Sequence, residues 1–168
     1  MLLSIAVDET RCNGCRRCEA VCQVVSLANG GLALPRIRIH RGEGGWRVRI
    51  CRHCEQAPCA DACVSGAIRA DPARGVVELD ASRCVGCYSC VMECPFGALF
   101  MVEIEAGGCR AVKCDGCRER RDLWCARYCP TGALRAGETS GAVATQIRRE
   151  RAWRLHGAQP YGGGARWR

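Results

Sequence analysis

The sequence predicts an α+β fold of short helices, β-hairpins and irregular cysteine loops, and three observations predict it. Seventeen of the 168 residues are cysteine, whereas aromatic residues amount to 4 Trp, 3 Tyr and 2 Phe. Apolar burial alone therefore leaves little to hold the chain together. Sixteen of those cysteines fall into four ordered tetrads, and short alternating apolar segments joined by glycine-rich turns lie between them, the pattern of β-hairpins.

The first tetrad, Cys12, Cys15, Cys18 and Cys22, reads C-x2-C-x2-C-x3-C. Two-residue gaps let a tight loop bring three thiolates to one iron–sulfur cubane, while the fourth cysteine has entered a helix and points toward another cluster. That helix is predicted to run on to a stop at Asn29-Gly30-Gly31. Residues 36–40 place Ile37 and Ile39 on one face, residues 46–50 do the same with Trp46, Val48 and Ile50, and the turn between them is glycine-rich. This is the first hairpin.

The second tetrad is Cys51, Cys54, Cys59 and Cys63, after which residues 68–70 and 76–79 flank Asp71-Pro72-Ala73-Arg74-Gly75 as a second hairpin. The third, Cys84, Cys87, Cys90 and Cys94, repeats the spacing of the first with Pro95 directly after it, and residues 99–104 and 110–113 form a third hairpin. The fourth is Cys114, Cys117, Cys125 and Cys129, followed by Pro130, with the charged segment 118–124 inside its long gap. Gly66, Gly97 and Gly132 each stand three residues past a fourth-position cysteine and precede Ala-Ile or Ala-Leu. Glycine there suits the left-handed residue that ends a short helix before a strand begins. Residues 142–156 read as a basic helix carrying Val143, Ile147 and Trp153, with a glycine-rich linker and an Arg-Trp-Arg end beyond it. Trp and Arg favour interfaces, so the segment is expected to dock on another subunit or on a second copy of the chain.

Residues 1–7 carry no basic segment ahead of their apolar run, and no stretch reaches the length of a membrane span. A cytoplasmic location is therefore expected, where clustered thiols are metal ligands rather than disulfides. Four all-cysteine zinc sites would use the same thiolates, but repeated three-cysteine loops with a displaced fourth cysteine are cluster spacing. The net charge of +8 first suggests nucleic acid. Four oxidised clusters with their thiolates would contribute about −8, which leaves the loaded protein near neutral and makes arginine the counter-charge of buried anions. No recognition motif accompanies the charge, so no nucleic acid is expected. No paired acid, phosphate loop or nucleophile–base set is present, so catalysis is expected to lie on another chain. Cys109, outside the tetrads, reads as a small buried strand residue. His53 reads as an orienting or sulfur-facing donor, and Trp46 and Trp124 read as packing or interface residues.

Over residues 4–135 this organisation resembles the four-cluster ferredoxin-like electron-transfer subunits that accompany tungsten or molybdenum pterin enzymes, carbon monoxide dehydrogenases and hydrogenases. The resemblance implies two interleaved bacterial-ferredoxin-like modules within residues 1–135. The outer one comes from the first and fourth motifs, the inner one (51–105) from the second and third, and 136–168 form a basic helix and docking arm. It implies four [4Fe-4S] clusters: Cys12, Cys15, Cys18 with Cys129; Cys51, Cys54, Cys59 with Cys94; Cys84, Cys87, Cys90 with Cys63; and Cys114, Cys117, Cys125 with Cys22. The compact length is similar to small subunits of aldehyde oxidoreductases, so a tungsten or molybdenum pterin partner is the leading expectation, with a flavin subunit as a further partner. A carbon monoxide dehydrogenase or hydrogenase is the alternative. A cluster-stabilised assembly or nucleic-acid-binding module is the alternative of another class.

Overall fold

The computed structural model describes residues 4–29, 31–104, 107–117 and 122–137. The expected C-terminal helix and arm lie outside these residues, as do residues 118–121 of the charged segment. Among the described residues four two-stranded antiparallel sheets and four α-helices alternate. The strands are β1 (Ser4–Val7), β2 (Arg38–Gly42), β3 (Gly45–Arg49), β4 (Ile68–Asp71), β5 (Val76–Leu79), β6 (Phe100–Glu103), β7 (Cys109–Val112) and β8 (Leu134–Gly137). The helices are α1 (Arg17–Ala28), α2 (Pro58–Asp61), α3 (Ser89–Glu93) and α4 (Trp124–Arg127).

The three expected hairpins form as β2–β3, β4–β5 and β6–β7. Alternation aims their apolar residues inward, so that Ile37, Ile39, Val48, Ile50, Ile68, Val77 and Ala111 are all buried. β2 begins at Arg38 rather than at 36. β6 pairs with β7 from Phe100 opposite Val112 to Glu103 opposite Cys109, and β8 runs to Gly137.

The fourth sheet is not a hairpin: β1 pairs with β8, with Ser4 opposite Gly137 and Val7 opposite Leu134. Directly after β1 the Asp8 amide donates to the Ala133 carbonyl at 2.8 Å, and directly after β5 the Asp80 amide donates to Ala67 at the same distance. The parallel extends further. Asp8 caps a 3-10 turn, Glu9–Arg11, and Asp80 caps another, Ala81–Arg83, each turn leading into the first cysteine of a motif. Asp8-x-Thr-Arg-Cys12-x-Gly-Cys15 and Asp80-x-Ser-Arg-Cys84-x-Gly-Cys87 are thus one local structure used twice.

Only α1 is long. Glu19 accepts the Ile39 amide at 2.7 Å, and Glu9 accepts the Val48 amide at 2.8 Å and an Arg47 guanidinium hydrogen at 2.9 Å. These carboxylates tie the first hairpin to the first motif. The helix stops at Asn29, as expected, and the Ser26 hydroxyl donates to the Leu32 carbonyl at 2.7 Å to turn the chain back. Among the described residues sixteen buried core residues are aliphatic or alanine, but the core also contains Cys18, Cys51, Cys59, Cys90, Cys94, Cys114 and Cys125. The core is organised around sulfur.

Candidate iron–sulfur centres

Each motif loop depends on a positive-φ residue in its first two-residue gap: Gly14 (φ 73), His53 (φ 49), Gly86 (φ 73) and Gly116 (φ 70). The left-handed turn reverses the chain between the first two cysteines, and glycine adopts it without strain. His53 is the non-glycine case. Its Nδ1 accepts the Val77 amide at 3.0 Å, and its Nε2 lies 3.5 Å from where a Cβ on Gly116 would stand. His53 is therefore an acceptor at Nδ1 that rests against the loop of the fourth motif. Trp46 occupies the space beside Gly14, a packing role as expected.

Two cysteine sets line pockets. Cys63, Cys84, Cys87 and Cys90 line one partly open pocket together with Ala67, Ile68, Leu79, Met101 and Ala111. Cys12, Cys15, Cys18 and Cys129 line another with Ile39, Val48, Ala133 and Leu134. In each set three cysteines come from one motif and the fourth from another: Cys63 from the motif before, and Cys129 from the far end of the described chain. Around the other two sets proximity shows in the thiol electrostatics. Burial pushes Cys54 and Cys59 up to about 12, with Cys51 and Cys94 adding to both. Burial likewise raises Cys125, with Cys117 and Cys22 contributing, and raises Cys117, with Cys22 contributing. Cys114 is raised by burial and then by Cys51 and Cys125.

These neighbours also order the sets in space. Cys18 bears on Cys125, and α1 packs on α4. Cys51 bears on Cys114, and α2 packs on α3. This neighbourhood runs from cysteines of the first motif through those of the fourth and the second to those of the third.

Backbone amides are aimed at the sulfurs: Arg36 at Cys22 (3.2 Å), Ile68 at Cys63 (3.4 Å), Ala98 at Cys94 (3.3 Å), Ala111 at Cys84 (3.4 Å) and Gly116 at Cys114 (3.3 Å). Ser65 Oγ and Thr131 Oγ1 lie 3.7 Å from Cys63 and Cys129. At Cys63 and Cys129 burial works upward, but these amide and hydroxyl hydrogen bonds outweigh it and lower both thiols. Donors of this kind stabilise sulfur that carries negative charge. The donor set, all thiolate with amides at the sulfurs and apolar walls, fits iron–sulfur cubanes. Among the described residues no three His, Cys, Asp or Glu side chains converge as a single metal ion would need, whereas a cubane core keeps its ligands apart. With burial favouring the protonated thiols, binding iron means displacing protons.

Cys109 begins β7 and is half-buried rather than buried, because the strand edge leaves it facing Tyr88, whose hydroxyl lies 3.6 Å from its sulfur. Of the charged segment 118–124, Leu123 is buried and Trp124 opens α4, so its end packs inward. The repeated Asp-x-Thr/Ser-Arg lead-in, the hydroxyls of Ser65 and Thr131, and the burial of Arg52 and Lys113 went unread in the sequence. Aligning the first and third motifs over the residues before them would have shown the lead-in. Nothing local marks the two buried cations.

Among the described residues no helix is long and apolar enough to cross a membrane. Residues 46–161 match the 4Fe-4S dicluster domain family. The chain is 38% identical to the electron transport protein HydN of Escherichia coli (strain K12), over 77% of this chain and 85% of that protein. It is 36% identical to the thiosulfate reductase electron transfer subunit PhsB of Salmonella typhi (77% and 72%) and 35% identical to formate hydrogenlyase subunit 2 of Escherichia coli (strain K12) (77% and 79%). Two of these relatives are named for thiosulfate reductase and formate hydrogenlyase and none of the three for an aldehyde oxidoreductase, so they fit the hydrogenase-type alternative better than the expected aldehyde oxidoreductase. A thiolate-lined core built from repeated cysteine motifs, together with these similarities, places the chain in the 4Fe-4S dicluster family of ferredoxin-like, iron–sulfur electron-transfer subunits.

Proposed function

We propose that this chain carries four [4Fe-4S] clusters in two interleaved modules and relays single electrons between a hydrogenase-type catalytic subunit and a redox partner. The observation that carries the reading is the pair of four-cysteine pockets, each completed by a cysteine from another motif. The proposed ligand sets are Cys12, Cys15, Cys18, Cys129; Cys114, Cys117, Cys125, Cys22; Cys51, Cys54, Cys59, Cys94; and Cys84, Cys87, Cys90, Cys63. Each cluster, when bound, supplies a one-electron couple. The chain's own residues shape those couples: amides and hydroxyls donate to sulfur, and Ile39, Val48, Ile68, Leu79 and Leu134 line the Cys12 and Cys84 sets. Cys15 and Cys87 are exposed at the two ends of the row, where partners can approach. Beside Cys87 the exposed Val85 and Tyr88 line the same pocket and give it an apolar rim suited to a protein partner. The relative named formate hydrogenlyase subunit 2 supports the choice of partner class.

The test is elemental analysis of the anaerobically purified chain and of the complex that co-purifies with it. About sixteen irons and as many labile sulfides per chain are expected, with nickel in the complex. Zinc in place of iron would overturn the cluster reading. A complex with tungsten or molybdenum and no nickel would overturn the partner assignment alone.

A further inference from the structure

The buried polar or charged side chains among the described residues are Ser26, Arg52 and Lys113, and both cations are only 4% exposed. Lys113 is the one lysine in the chain. Its ammonium donates to the Val77 carbonyl and, at 2.7 Å, to the carbonyl of Cys114, so its described hydrogen bonds go to neutral oxygens rather than to a carboxylate. It also bears on the sulfurs of Cys59 and Cys114. Arg52 lies between Cys51 and His53 in sequence; its guanidinium stands 5.4 Å over the ring of Phe96, two residues past Cys94, donates to the Ile5 carbonyl at 3.4 Å and bears on Cys54. A cation in a sulfur-lined interior is costly unless an anion faces it. A four-thiolate cluster places negative charge beside both cations, and that charge grows by one on reduction.

We propose that Lys113 and Arg52 are the internal counter-charges of the cluster site at Cys51, Cys54, Cys59 and Cys94, positioning residues that favour its reduced state, with Lys113 also serving the adjoining Cys114 site. The inference rests on the four-cluster reading above and deepens it. Burial of the inner sites disfavours adding an electron, and the two cations offset that penalty, keeping the inner couples level enough with the outer ones for electrons to cross. The one electron is gained from the redox partner.

The experiment is a potentiometric titration of full-length holoprotein, followed by electron paramagnetic resonance, with iron and labile sulfide measured on each sample. Lys113→Met is expected to lower two of the four midpoints. Arg52→Gln is expected to lower one of those two alone, by at least about tenfold in its reduction constant, or about 59 mV for one electron. Arg52→Lys keeps the wild-type value, and the outer couples stay unchanged throughout. Fully loaded neutral variants with four wild-type midpoints, a uniform shift of all four, or an Arg52→Lys variant that falls as Arg52→Gln does would overturn the proposal. If the neutral variants load no iron, wild-type protein decides by salt titration. Buried counter-charges escape screening, so the inner couples should hold still while the outer ones move, and a uniform shift would refute the idea. A wild-type protein without [4Fe-4S] signals would instead refute the four-cluster reading.

Discussion

Replacing Gly86 with alanine is expected to cost the protein one cluster site while leaving the rest assembled. Gly86 has φ +73, and a Cβ there would stand 2.6 Å from the carbonyl oxygen of Cys109. The left-handed conformation costs a non-glycine residue roughly 1–2 kcal/mol. Overlap with packed atoms typically adds about 1–3 kcal/mol. The obstacle is backbone, held by the pairing of Cys109 with Glu103 and by the Ala111 amide on Cys84, so it cannot rotate away as a side chain would. A total of roughly 2–5 kcal/mol follows. Gly44 is the control, since its φ is +79 but nothing lies within 4 Å of its Cβ position, and Gly44→Ala should lose only the conformational part. The assay is anaerobic thermal loss of the visible cluster absorbance, with iron counted per chain before heating. Gly86→Ala should bind about a quarter less iron or release that fraction first. A Gly86→Ala protein as stable and as fully loaded as Gly44→Ala would refute the reasoning. It would mean that the loop between Cys84 and Cys87 does not rest on β7.

Cys109→Ala should retain the full iron content and all four couples, because Cys109 belongs to none of the four sets; loss of iron on quantitation would make it a ligand. Ser65→Ala and Thr131→Ala each remove a hydroxyl near a fourth-position sulfur and should each lower the midpoint of one outer couple, read by potentiometry with the other three unmoved. Asp80→Asn tests the cap before Cys84. The Ser82 hydroxyl and amide hold the Asp80 carboxyl below its usual range, so the charged cap stabilises the fold above about pH 4, the unfolded value. That contribution fades as pH falls through the lowered folded value. Wild type should therefore outlast Asp80→Asn in cluster retention above about pH 4 and match it in stronger acid, whereas a gap that persists unchanged into acid would show that the charge plays no part.

Much of the molecule is written in short stretches. The gaps between Cys84, Cys87 and Cys90 are set by how tightly a few residues can turn. Gly66, Gly97 and Gly132 do adopt the left-handed conformation expected of them, with φ of 61, 55 and 63. The three hairpins follow from alternation and glycine-rich turns, and Val76–Leu79 forms over the expected residues. Cofactor chemistry was legible for the same reason, because ligand type and spacing are local. The pairing of β1 with β8 was not legible, since a four-residue strand has no mark of a partner more than a hundred residues away, and its register comes from closing the chain on itself. The burial of Arg52 and Lys113 was hidden more deeply. In a chain rich in basic residues each looks like one more solvated charge, and only the packing of sulfur-lined sites from distant motifs around them turns an exposed-looking cation into an interior one.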